Sequence, residues 1–166
     1  MSYPNYYIDD DSLKEVLHDT ILTLQWCEAN ENNPEVVSYF RMLKKLDTAE
    51  LLGIKFINQL KGTDQEIGAI VRLAAVYHWQ KKFELSEEMY NKALGLFDNS
   101  DLKTTYPQMG GFIYQHQAKL YLDFGMFKKA KVAINNAFEI RLHCDSSRLP
   151  STQQVLDKLK KIEQTI

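Results

Sequence analysis

Four histidines, two cysteines and a run of three aspartates are the residues of this chain whose types could do chemistry. His18, His78, His116 and His143 are potential zinc ligands or members of a triad. Cys27 and Cys144 are potential nucleophiles or thiolate ligands, and Asp9-Asp10-Asp11 a potential oxygen cage for calcium. Their spacing serves none of these purposes. The histidines fall on separate stretches with no His-Glu-x-x-His pattern, and the cysteines form no Cys-x-x-Cys. The aspartates lack the glycine and closing glutamate of an EF-hand loop, and read as a solvated lead into a helix. Gly110-Gly111 lacks the Lys and Ser/Thr of a phosphate-cradling loop, and no serine stands in a Gly-x-Ser-x-Gly elbow. The expectation is therefore two reduced core thiols, no metal or cofactor, no catalytic residues and no enzyme.

The elements that must position these residues are helical. Apolar residues recur at three- and four-residue intervals almost throughout, with no sustained alternation of period two, so the chain reads as all-α. Ser12 with Glu15, Asp47 with Glu50 and Thr63 with Glu66 have capping-box spacing, and Asn33 precedes Pro34-Glu35 as a cap before a first-turn proline. Stops fall at Asn30 to Asn33, Lys61-Gly62, Lys81-Lys82, Asp98 to Asp101, Gly125 and Asp145 to Leu149. These signals predict helices near 12–29, 34–45, 48–61, 64–80, 84–97, 107–124, 128–143 and 150–164. Leu156, Leu159 and Ile162 form one stripe on the last.

A pattern repeats within those helices. Leu73, Ala74 and Tyr77, then Phe83, Ser86, Tyr90 and Ala93-Leu94, are matched 44 positions later by Gln117, Ala118 and Tyr121, then Phe127, Ala130, Ile134 and Ala137-Phe138. Small residues at these points suit close helix crossings, where long side chains do not fit. An eroded copy precedes them, with Phe40 spaced from Ala49 as Tyr77 is from Ser86. The pattern resembles the tetratricopeptide repeat, a helix-turn-helix unit of about 34 residues that stacks because one unit cannot bury its apolar face alone. The longer offset here, and Phe138-Glu139-Ile140-Arg141 followed by Pro150-Ser151-Thr152, are similar to the longer units of kinesin-light-chain type.

The resemblance implies an α-solenoid of antiparallel hairpins with about seven or eight helices, forming one domain over 1–166. It would comprise N-terminal helices with a degraded repeat at 12–61, repeats at 64–97 and 107–143, and a capping helix at 150–164. In this family the first helix of each unit lines a concave groove. The groove residues would be Val71, Ala75, His78 and Trp79 on one helix and Phe112, Gln115, Lys119 and Leu122 on another, with Ser38, Arg41 and Met42 in the doubtful first unit. The implied function is a non-enzymatic adaptor or chaperone that binds a peptide or helix of a protein partner. A second reading is a self-associating structural or regulatory module, a homodimer joined through Tyr6, Tyr7 or Tyr106, and a third is an enzyme using a pocket that the sequence does not reveal.

Composition agrees with a folded domain: 166 residues, 45% apolar and 25% charged, at a net charge of -2. That balance sets up no global field for nucleic acid, and the basic runs Lys81-Lys82, Lys128-Lys129-Lys131 and Lys158-Lys160-Lys161 read as solvated faces. No stretch is apolar enough to span a bilayer, so no membrane partner is expected. The opening residues have neither the basic nor the apolar region of a secretory signal, which makes the cytoplasm the expected compartment.

Overall fold

The computed structural model describes residues 2–166. Contacts divide the chain into two compact units, one reaching Met89 and the other running Tyr90–Ile166. Most described residues are helical, packed helix to helix. The exception is at the start, where β1 (Tyr6–Ile8) pairs antiparallel with β2 (Glu15–Leu17) in the register Tyr6 to Leu17, Tyr7 to Val16 and Ile8 to Glu15.

This strand pair corrects the expected helix over 12–29, which shortens to α1 (Thr20–Ala29). The Ser12-x-x-Glu15 spacing does not cap a helix. The Asp9 carboxylate instead accepts from both the backbone N–H and the hydroxyl of Ser12, each at 2.7 Å, closing a loop in which Leu13 adopts φ 58°. Glu15 is drawn away to the buried guanidinium of Arg41. The competition is unequal, since a cap contributes about 1 kcal/mol and an unpaired buried arginine costs about 3–5 kcal/mol. Helix α1 is capped by Asp19, whose carboxylate accepts from Leu22 N–H at 2.9 Å.

The N-terminal unit continues with α2 (Val36–Met42), α3 (Leu46–Leu60) and α4 (Glu66–Trp79). Its core joins Trp26, Val36, Tyr39, Ala49, Phe56, Leu73 and Val76. Small residues sit at the crossings, as the spacing predicts: a Cβ added to Gly53 would stand 3.0 Å from Leu73 Cδ1, and the buried Ser86 hydroxyl donates to Ala74 O at 2.7 Å. Thr63 and Glu66 work close to the capping-box manner, with Thr63 Oγ1 accepting from Gln65 N–H and Glu66 from Gly62 N–H. Asp47 lies inside the first turn of α3, and Glu50 bonds Gln80 and Lys82.

Helix α5 (Phe83–Asp98) begins in the first unit and ends in the second. The link after it, where the pattern predicts no helix, contains a short one, α6 (Leu102–Thr105). Then come α7 (Gln108–Asp123), α8 (Phe127–Cys144), a single 3-10 turn at Ser146–Arg148, and α9 (Leu149–Thr165). Gly110-Gly111 serve a close crossing: a Cβ on Gly110 would meet Phe97 at 2.9 Å, and one on Gly111 would meet Arg141 Cγ at 3.1 Å. The deepest residues of α9 are Thr152, Val155 and Leu159; Leu156 and Ile162 are half-buried.

Three turns are built alike. Lys45 N–H donates to Phe40 O, Lys82 N–H to Tyr77 O and Met126 N–H to Tyr121 O, at 2.9, 2.9 and 2.8 Å. The residue before each donor, Lys44, Lys81 or Gly125, takes positive φ, as helix ends of this type require. This places Phe40, Tyr77 and Tyr121 at one equivalent position in α2–α3, α4–α5 and α7–α8.

Candidate functional site

Most of the groove residues named from the sequence are covered. Val71, Ala75 and His78 are buried, as are Gln115, Lys119 and Leu122. Trp79 is half-buried, and Phe112 is exposed, its ring 4.4 Å from that of His116.

Within the N-terminal unit, Arg41 is only 3% exposed, and the strand pair comes over it. Its Nη1 and Nη2 donate to the two Glu15 carboxylate oxygens at 2.9 and 3.4 Å, while its guanidinium lies 4.8 Å above the Trp79 ring. Lys14 Nζ reaches the same ring at 5.2 Å. Trp79, one of the expected groove residues, is thus engaged by the chain's own cations. Nothing in the sequence signalled this, because Glu15 and Arg41 lie 26 residues apart.

Within the C-terminal unit, Arg141 is equally buried but meets neutral oxygens. Its Nη1 donates to Gln115 Oε1, to Thr152 Oγ1 at 2.9 Å and to Ser151 Oγ at 3.2 Å. Thr152 also donates to Gln115 Oε1 at 2.6 Å, which ties the start of α9 to α7. Burial lowers the Arg141 pKa from 12.5; the field of Asp145 opposes that shift and Arg148 adds to it.

A surface pocket of about 400 Å³ opens in the C-terminal unit. Gln117, Tyr121 and Ala133 are its buried residues, and Tyr114 is half-buried. Exposed Asn91, Lys128, Lys129, Val132 and Asn136 complete it. Gln117 Nε2 donates to Asn91 Oδ1 at 2.9 Å, and Lys129 Nζ stands 5.3 Å from the Tyr121 ring centroid. The Tyr114 phenol is pushed above its ordinary pKa, chiefly by burial and then by Asp98. The basic run is exposed, as a solvated face requires; Lys131 pairs with Glu163 at 3.2 Å, and Lys128 and Lys129 also border the pocket.

The equivalent turns show how this pocket departs from the repeat. Tyr114, Gln117, Lys128 and Lys129 occupy the positions of Ile70, Leu73, Glu84 and Leu85. Ile70 and Leu73 are buried hydrophobics. Helices α3 and α5 carry an acid in the first turn, Asp47 or Glu84, whereas α8 carries none. A lysine near a helix N-terminus opposes the helix dipole by about 0.3–1 kcal/mol. Residues that break a local rule in this way concentrate where function is placed.

The remaining chemistry is sparse. Cys27 is buried, its thiol raised to about 11 by desolvation first and Glu28 second, but Cys144 is exposed, which corrects its placement in the core. Among the described residues, no three His, Cys, Asp or Glu side chains are grouped to hold a metal ion, and no helix is long and apolar enough to cross a membrane. Comparison with protein-family descriptions, curated proteins and solved structures returned no match, so any assignment of role rests on the chain's own geometry.

Proposed function

We propose that this chain is a non-enzymatic protein-binding module, an adaptor or chaperone that holds a segment of a partner protein. In this reading its hairpins stack as a tetratricopeptide-like α-solenoid closed by α9, working in the cytoplasm. The observation that carries the reading is the divergence of the α7–α8 hairpin. Positions that elsewhere in the repeat are plain core, Ile70 and Leu73, become Tyr114 and Gln117 and help line an accessible pocket. Two tyrosines, three amides and an exposed Val132 suit contact with side chains of a polypeptide. The test is a photo-crosslinking amino acid placed at Val132 and, separately, at Phe112 of the full chain. The expected result is a discrete protein adduct from Val132 that Tyr114→Ala abolishes; adducts no more discrete than those from an unrelated exposed position would overturn the reading.

The strand pair favours self-association as a second reading. Tyr6, Tyr7 and Val16 are exposed there, and a two-stranded sheet has edges open to another strand. Sedimentation velocity across a hundredfold concentration range discriminates: a dimer that Tyr7→Glu dissociates supports this reading, and a concentration-independent monomer removes it.

A further inference from the structure

We infer that the α7–α8 pocket takes an acidic side chain, an aspartate or glutamate of a protein partner, between Lys128 and Lys129. The inference deepens the proposed protein-binding role and rests on it.

Charge is the first argument. Lys128 and Lys129 both line the pocket and no carboxylate is among its lining residues, so an anion entering meets two ammonium groups. The same two positions in the preceding hairpin are Glu84 and Leu85, so the cationic wall is particular to this copy and is not demanded by the packing of the repeat. Helix α8 begins with these lysines and no acid, which adds the positive end of the helix dipole to the side-chain charges.

Donor geometry is the second argument. Gln117 is 4% exposed, and its amide occupies Asn91 Oδ1 at 2.9 Å. With that oxygen engaged, the Asn91 side chain presents its N–H groups as what remains for a ligand, and Asn136 offers a second amide on the lining. Ammonium and amide N–H groups together satisfy a carboxylate. The side-chain anions of an unmodified polypeptide are carboxylates, which makes aspartate or glutamate the occupant that the proposed partner supplies. A volume of about 400 Å³ accommodates one or two side chains, and Tyr114 and Val132 supply apolar surface for the methylenes or a neighbouring residue.

The experiment titrates the isotopically labelled full chain with acetyl-Glu-Leu-Glu-amide, acetyl-Gln-Leu-Gln-amide and inorganic phosphate, following amide shifts by NMR. The expected result is saturable movement of the Asn91 and Asn136 side-chain amides and of the Lys128 and Lys129 backbone with the Glu peptide only. Binding should weaken at least about tenfold in Lys128→Glu/Lys129→Glu, both at exposed positions. An equal response to the Gln peptide, tighter binding of phosphate, or unchanged affinity in the double variant would each overturn the inference. Failure here is separable from failure of the broader reading: a Val132 crosslink to a partner that survives the double lysine reversal keeps the adaptor and removes the acidic anchor.

Discussion

Arg41 and Arg141 are buried to the same degree, one in each unit, yet Arg41 meets a carboxylate and Arg141 meets only an amide and two hydroxyls. Both leave Nε without a partner. Each clamps an element that the repeat pattern does not include, the strand pair in one unit and α9 in the other. The difference teaches that the two clamps answer to different forces. Arg41 and Glu15 depend on each other, since either alone is an uncompensated buried charge. Arg141 already carries its charge without a counter-ion in hydrogen-bonding contact, and its surroundings, Gln115 with Thr152, remain bonded to one another without it.

Arg41→Met therefore has the largest expected effect, a loss of about 3–5 kcal/mol in urea unfolding. Glu15→Leu combined with Arg41→Met should recover more than half of it, because the stranded carboxylate goes too. Next, Arg141→Met should lose less than about 1.5 kcal/mol, since the lost charged hydrogen bonds are offset by relief from burying a guanidinium. Equal losses in the two single variants would erase the distinction between the clamps.

A smaller effect should appear in acid. Glu50 has its pKa held below the ordinary 4.5, first by the Gln80 amide and then by Lys82, against partial burial. A carboxylate lowered on folding contributes stability above its unfolded pKa, and that contribution is lost as pH falls through the folded value. Glu50→Gln should lower stability of the N-terminal unit at pH 7 by no more than about 0.5 kcal/mol and, because that contribution is already lost in acid, flatten the acid limb below about pH 4.5, read from amide exchange at Tyr77 and Gln80. The smallest effect concerns thiols: Cys144 should react at once with a disulfide reagent and Cys27 only on unfolding, so Cys144→Ser should remove the fast phase.

Much of the helical framework was legible because its causes are local. Thr63 and Glu66 make nearly the cap their spacing predicts, and Gly125 turns where a positive φ is needed. Phe40, which looked like the remnant of a repeat, turns the chain through the same hydrogen bond as Tyr77 and Tyr121. Ser12 and Glu15 carried an equally good local signal, and it failed because Glu15 had a stronger claim elsewhere. The pocket was not legible: Lys128 and Lys129 are exposed, as a solvated face requires, but no local signal places Gln117, Tyr121 and Ala133 beside them.

Helix period, turn chemistry and small residues at crossings act over three to nine positions, so the order of residues was enough to reveal them. Which faces stay open depends on partners far away along the chain. Glu15 finds Arg41 across 26 residues and Gln115 finds Thr152 across 37, and these contacts occupy two of the positions from which a groove was read. Burial of a polar group is decided by who meets it in space, and in this protein folding alone brings those partners together.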